Sequence, residues 1–506
     1  MVMKINNSMS FRVKNAAGKA LTTSLIYRFV SVVGPLILIP LFVKYLTPEE
    51  YGTWLVVLSI SSYFFLTNPG ITQVVSNAVA RNIAAEKVDY YSQVASSGYY
   101  LFRKITAYVF IAAIIVFVSI KIFFTSTFLE SSSVPLAITI LLILLTYPLY
   151  LYRSVLVGLG RIHIEQISAL FLGSLFRYIL TIFLLLSGFK LIALSIIYGL
   201  SNFLPSLGSK FYLKNILPKF KISKGNKNDE ITKNMIKPTT SFFILYISGS
   251  LLNSADNIII ASIVNVSSVP MYAVTMQLMW LFVTVVGLFS STRMPLISGL
   301  HKKRKFEELQ SLFRVLLFFS SIVAVIVALN LLLFGEAFII SWAGPEIFPG
   351  NDVFYCMLIF ALLFSVVWPS DAILTATEKH SSYANMTGVE ALLNVILSIY
   401  LTYQLGIKGA VLGTIISRSL TNGWFMFYRT LKVIEYKYLD FLAWLFKDIV
   451  RPVIIISILL LALKYFNVLG NYPLYVHIFV WNLVIFIVLF CLSKRNIVEV
   501  LNSIKQ

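Results

Sequence analysis

The chain has little of what soluble proteins and enzyme sites are built from. Only 12% of its residues are charged, against about 25% in an ordinary globular domain. Acidic residues are scarce: 21 Asp and Glu face 41 Lys and Arg, for a net charge of +20. Histidines number 4 and cysteines 2. Cys356 and Cys491 stand far apart, in or beside apolar runs, which argues against a disulfide framework or a metal centre. No Ser/His/Asp set, metal-ligand spacing or phosphate-cradling glycine loop occurs in a suitable context. The chain therefore reads as a non-enzyme without a cofactor, and any pumping must draw on an H+ or Na+ gradient or on the substrate's own. The positive charge does not indicate nucleic acid, because most of it sits in short loops between apolar runs.

What the chain has is apolar length. It is 58% hydrophobic, and runs of about 20 residues recur from end to end, the signature of an all-α polytopic membrane protein. The first run is long enough to span and no small-residue cleavage site follows it, so it is not read as a cleaved signal. Fourteen spans are expected, at about 22–43, 53–68, 105–124, 135–152, 164–187, 190–209, 238–262, 270–294, 312–334, 354–376, 383–404, 407–428, 450–467 and 474–493. The even number puts both termini on one side.

Charge supports that layout. With the N-terminus inside, the bases falling outside are Lys44, Lys121, Lys190, Lys408 and Lys464. Arg28, Arg177 and Arg418 lie within spans, and the remaining bases fall on the cytoplasmic side. The longest external loop, 335–353, carries Glu336, Glu346 and Asp352 and no base. The most basic stretch is 210–237, with Lys210, Lys214, Lys219, Lys221, Lys224, Lys227, Lys233 and Lys237 against Asp229 and Glu230. It reads as a flexible cytoplasmic linker.

An internal repeat organises the spans around that linker. Pro35–Tyr51 reads PLILIPLFVKYLTPEEY and Asp256–Tyr272 reads DNIIIASIVNVSSVPMY. Without a gap, Ile37 meets Ile258, Ile39 meets Ile260, Val43 meets Val264 and Tyr51 meets Tyr272. Both pieces end the first span of a half, and the halves face the same way, as in parallel-repeat transporters. The expected organisation is a six-helix bundle over 1–209, a basic linker over 210–237, a second six-helix bundle over 238–430, and two extra helices within 431–506.

Several charges stand where lipid would penalise them. Arg177 and Arg418 are close to mid-span, Arg28 is about two turns into the first span, and Arg293 is near the inner end of the eighth. Asp256 and Glu390 are the intramembrane acids. An Arg or Asp at mid-span costs roughly 2.5–3.5 kcal/mol on insertion scales. Such groups are expected to face a cavity, a counter-ion or a bound anion. The bases outnumber the acids, so the cavity is expected to be cationic. Arg28, Arg177, Arg418 and Arg293 are the candidate anion-binding residues, and Asp256 and Glu390 the candidate ion-coupling ones. The plainer alternatives are snorkelling for Arg28 and Arg293 and structural pairing for the acids. Pro35, Pro40 and Gly34 make the first span a candidate bending element.

Four stretches resemble one family. Pro40-Leu-Phe-Val-Lys-Tyr-Leu-Thr-Pro-Glu-Glu-Tyr51-Gly52 is similar to the first-span signature of the polysaccharide flippases, "Leu-Gly-Pro-Glu-x-Tyr-Gly", with Thr47 in place of the usual Gly. Asn68-Pro69-Gly70-Ile71, leading to Ala80-Arg81, resembles their "Asp-Leu-Gly-(Leu/Ile)", with Asn68 for the usual Asp. Gly158-Leu-Gly160-Arg161 resembles the turn after the fourth span. Asp256-Asn-Ile-Ile-Ile with Val269-Pro-Met-Tyr272 resembles the seventh-span motif. The resemblance implies the multidrug/oligosaccharidyl-lipid/polysaccharide exporter superfamily, two six-helix bundles, and alternating access. It implies an undecaprenyl-diphosphate-linked oligosaccharide as substrate, moved to the outer leaflet of a bacterial inner membrane for O-antigen, capsule or exopolysaccharide. Membrane lipids are then partners, with a polysaccharide polymerase and a chain-length regulator as further candidates. A diphosphate suits the arginines, whose fork binds two oxygens. The last two spans resemble an extra pair that lines a lipid-tail groove. An ion-coupled multidrug exporter of the same fold, or a membrane polysaccharide polymerase or ligase, stands as the alternative.

Overall fold

The computed structural model describes residues 2–65, 68–81, 88–123, 126–377, 381–455 and 458. The expected span at 474–493, with Cys491, lies outside them, as does 450–467 beyond its first turns. The described chain forms two compact units, Met1–Pro270 and Met271–Gln506.

The first unit runs α1 (Val2–Tyr45), α2 (Pro48–Phe65), α3 (Asn68–Arg81), α4 (Val88–Phe123), α5 (Ser126–Gly158), α6 (Ile162–Ser168), a π-helical stretch at Ala169–Leu175, α7 (Phe176–Leu186), α8 (Leu191–Ile216) and α9 (Asp229–Ile263). The second runs α10 (Val269–Thr292), α11 (Met294–Lys302), α12 (Phe306–Ala343), α13 (Asn351–Ala376), α14 (Ser381–Leu405), α15 (Ile407–Leu420), α16 (Asn422–Val433) and α17 (Tyr438–Leu445). Among the described residues, eight helical stretches are long and apolar enough to cross a membrane, and each coincides with an expected span. Of the other expected spans, 53–65 lies in α2, 105–123 in α4 and 238–262 in α9, while 407–428 is divided at Thr421 into α15 and α16.

The packing is that of a protein solvated by lipid. Large apolar side chains point outward, as with Phe183 at 61% exposed and Tyr403 at 78%. The interior is rich in small polar groups: Ser195, Ser206, Ser320, Ser365, Ser398 and Ser417 are fully buried. Lipid gives no hydrophobic reason to turn apolar faces inward, so helices associate through small residues and hydrogen bonds instead. The α14–α15 hairpin shows this best. Gly406 turns the chain at φ +60, and Gly409 and Gly413 let the two backbones touch. A Cβ at 409 would lie 2.0 Å from the Leu401 carbonyl oxygen, and one at 413 would lie 2.6 Å from the Ser398 nitrogen.

α2 begins with a reciprocal cap. The Thr47 N–H donates to Glu50 Oε2 at 2.9 Å, and the Glu50 N–H donates to Thr47 Oγ1 at 3.2 Å, with Pro48 at the first helical position. Thr47 thus starts the helix. The other Glu50 oxygen accepts from Lys190 Nζ at 2.5 Å, tying α2 to the turn before α8. Burial alone would raise the Glu50 carboxyl. The Lys190 hydrogen bond and charge, with the Thr47 bonds, outweigh it and hold Glu50 below its ordinary value of 4.5. A carboxyl lowered by folding stabilises above its unfolded value, and that contribution is lost as pH falls through the folded one. Between about pH 6 and about pH 3, wild-type thermal stability should therefore fall further than that of Glu50→Gln.

Two features differ from the sequence expectation. The second bundle is expected to start at 238, yet α9 packs on α2, α3 and α4, and the division falls after Pro270. Composition marks where a chain leaves the membrane, not which helices it later touches. The stretch 210–237 is expected to be flexible, but α8 extends to Ile216, α9 starts at Asp229, and the segment between them is tied down. The backbone N–H groups of Lys221, Ser223 and Asn228 donate to the hydroxyls of Ser92, Ser96 and Ser97 on α4, at 3.2, 3.1 and 3.2 Å. The Ser97 hydroxyl donates back to the Asn228 carbonyl at 3.1 Å. Phe220 is buried, with its ring set edge-on to Tyr152.

Candidate functional site

Each unit carries its own buried charge. In the second unit the centre is Glu390 on α14, which is fully buried. Arg418 of α15 donates to it through Nη1, at 3.1 Å to Oε1 and 3.5 Å to Oε2. The interruption at Thr421 lets the next residue swing in, so that Asn422 Nδ2 donates to Glu390 Oε2 at 2.6 Å and to Thr387 Oγ1 at 3.0 Å. The Arg418 guanidinium also lies 4.1 Å from the Phe364 ring centre. Asn394, one turn beyond Glu390, donates to Thr414 Oγ1 at 2.8 Å. The Gly409–Gly413 contact makes this possible, because only closely packed backbones bring α15 within reach of a side chain on α14. The result is a neutral ion pair on an apolar shelf, with α13, α14, α15 and α16 all contributing.

Arg418 and Glu390, expected in separate roles, are therefore brought together, and each compensates the other's charge. Arg293, expected in the same cationic set, precedes the first residue of α11, and its guanidinium lies 5.6 Å from the Phe289 ring centre.

In the first unit Arg177 is the second residue after the π-helical stretch. Such stretches shift the register of a helix and recur at functional positions. The guanidinium lies 4.9 Å from the Tyr178 ring centre and 5.8 Å from that of Tyr198, and donates to Tyr178 Oη at 3.0 Å. Tyr178 in turn packs where Gly34 leaves room on α1, since a Cβ there would sit 2.1 Å from its ring. Among the described residues no carboxylate pairs with Arg177. Arg28 is exposed on α1. Asp256 is 3% exposed on α9, within electrostatic reach of Tyr63. It lies beside a polar seam in which Asn257 donates to Ser59 at 2.9 Å, and Ser62 bonds Ser254 at 3.0 Å and Ser250 at 3.2 Å.

One further pair, partly buried, is formed by residues that the sequence does not single out. Arg153 of α5 and Glu165 of α6 form an ion pair, with Arg153 Nε donating at 2.8 Å. Arg153 also borders a cavity of about 260 Å³ lined by Thr72, Gln73, Ser76, Tyr150, Ser154 and Val157. In the sequence Arg153 falls just past an apolar run and passes for a loop base. The tight turn at Gly158–Arg161, which folds α6 back, was the available signal.

The sequence matches no family model and no curated protein. The structure matches solved ones. The lipid II flippase MurJ, in an inward closed conformation, superposes with a TM-score of 0.69 at 14% identity, over 93% of this chain and 98% of that one. An inward-facing multidrug resistance MATE family transporter of the MOP superfamily gives 0.65 at 16% identity, over 83% and 98%. An outward-facing one gives 0.57 at 15%, over 83% and 95%. At these identities the likeness is one of architecture: the chain has the all-helical fold shared by MATE transporters and MurJ.

Proposed function

We propose that this chain is a flippase for an undecaprenyl-diphosphate-linked oligosaccharide, working by alternating access in a bacterial inner membrane with both termini cytoplasmic. The observation that carries the reading is Arg177. It sits at mid-span depth on a platform of tyrosines, with no carboxylate beside it among the described residues. A permanently charged, planar donor held there needs an anion, and a diphosphate supplies oxygens in the geometry a guanidinium prefers. Arg28 and Arg293 are further proposed anion-binding residues. So is Arg418, whose guanidinium is freed only by leaving Glu390. Asp256 and Glu390 remain the proposed ion-coupling carboxylates, and coupling at Glu390 then means opening and closing its pair with Arg418. The MurJ likeness supports a lipid-linked substrate. No enzymatic step is proposed, and a polymerase and a chain-length regulator are the proposed partners.

The test is complementation of a strain lacking a polysaccharide flippase, with surface polysaccharide assayed at matched protein levels. Wild type should restore it, and Arg177→Ala should reduce it ten-fold or more. Full rescue by Arg177→Ala would remove that residue from the site.

The pairing of Arg418 with Glu390 favours a second reading, an ion-coupled multidrug exporter, because it removes one of the central cations. Ethidium efflux by the same strains separates the two. Efflux without polysaccharide rescue would support the exporter.

A further inference from the structure

The ordered strap between α8 and α9 is rich in lysine. Its backbone is held to α4 by the three serine hydroxyls described above, and Phe220 anchors it from below. That arrangement turns the lysines outward. Lys214, Lys219, Lys221, Lys224 and Lys233 are all exposed, as are Arg103 and Lys104 on α4. The local acids are Asp89 in the first turn of α4, Asp229, which Lys227 holds at 2.6 Å, and Glu230. Lys227 is committed in addition to the Tyr100 ring, 4.0 Å from its centre.

The position of the strap fits a headgroup layer. It joins the end of α8, which is long and apolar enough to span, to the start of α9. Phe211 at 59%, Tyr99 at 39% and Ile216 at 37% exposed lie on the neighbouring turns. Exposed aromatics beside bases mark the boundary between acyl chains and headgroups. A row of ammonium groups at that level meets lipid phosphates, and those of anionic lipids carry uncompensated charge.

We propose that the strap, with the adjoining ends of α4, α8 and α9, is a binding site for the headgroups of anionic phospholipids on the basic side of the membrane. The site is preorganised. Its backbone is already paired, so binding orders only lysine side chains, and a loose linker of the same composition would lose far more freedom. The inference requires only that α8 and α9 cross the bilayer, and it stands whichever substrate the chain carries.

The test is lipid retention by the full chain, purified in mild detergent and read by native mass spectrometry. Dioleoylphosphatidylglycerol is compared with dioleoylphosphatidylcholine. Wild type should keep the anionic lipid in preference to the zwitterionic one. Lys219→Gln/Lys221→Gln/Lys224→Gln should lose that preference about ten-fold, whereas the same three sites changed to Arg should keep it. A salt titration on wild type guards against misfolding of the variants: retention should fall as salt rises from about 0.05 to about 0.5 M. Equal retention by the Gln variant, salt-independent retention, or no preference by wild type would each overturn the proposal. The last would leave an acidic protein surface as the strap's ligand.

Discussion

Replacing Glu390 by Ala while Arg418 stays is expected to destabilise the second unit by about 3–5 kcal/mol, the loss seen when one member of a buried ion pair is removed. Arg418 is 13% exposed and Glu390 0%, so the stranded guanidinium has little access to solvent. The double variant Glu390→Ala/Arg418→Met should recover much of that loss, because it strands no charge. Thermal unfolding of the single and double variants, read as a cycle, isolates the pairwise term. A double variant no better than Glu390→Ala would show that the stability comes from Asn422 and Thr387 rather than from charge pairing. Transport by the same proteins addresses mechanism. If Glu390 only fastens the hairpin, the double variant should transport; if it couples to an ion, the double variant should be stable and inactive.

A comparable loss is expected from Gly409→Val. The incoming Cβ would meet the Leu401 carbonyl 2.0 Å away, and backbone cannot step aside as a flexible side chain can. Overpacking typically costs 1–3 kcal/mol and occasionally more; here about 3 kcal/mol or failure to accumulate is expected, since the whole of α15 must move. That movement would also part Arg418 from Glu390. Gly249→Ala is the matched control, because its Cβ would meet nothing within 4 Å. It should be neutral or slightly stabilising, as expected for Ala replacing Gly within a helix. Equal behaviour of the two variants, measured as folded protein by size-exclusion chromatography, would mean that the hairpin tolerates separation.

Helix existence was legible because lipid demands a long apolar run, and each of the eight stretches found corresponds to one. Partnership was not. Arg418 and Glu390 are 28 residues apart, and their pairing depends on the turn at Gly406, on two glycines and on the interruption at Thr421. The antiparallel hairpin, with both residues at similar distances from its turn, was the sequence clue. Arg153 and Glu165 escaped notice for a related reason: a residue one position past an apolar run looks solvated until the next helix folds back over it. The pattern Thr47-Pro-Glu-Glu50, in contrast, is a capping signal readable without any structure. Lysine-rich composition suggested a loose linker at 210–237, and nothing in that composition reveals that three serines more than a hundred residues earlier would hold its backbone.

The placement of α9 bears on how the molecule is made. In the internal repeat α9 opens the second half, but its partners α2, α3 and α4 are synthesised long before it. Until α9 leaves the ribosome, the polar seam of Ser59 and Ser62 has no partner in Asn257, Ser254 or Ser250. The strap likewise closes on α4 only when residue 228 has emerged. Before then the hydroxyls of Ser59 and Ser62 have only the carbonyls of Leu55 and Ser59 on their own helix as partners. A nascent chain arrested before α9 should be sensitive to protease, and one arrested after it resistant. Completion of the first unit therefore waits on the synthesis of its last helix, α9.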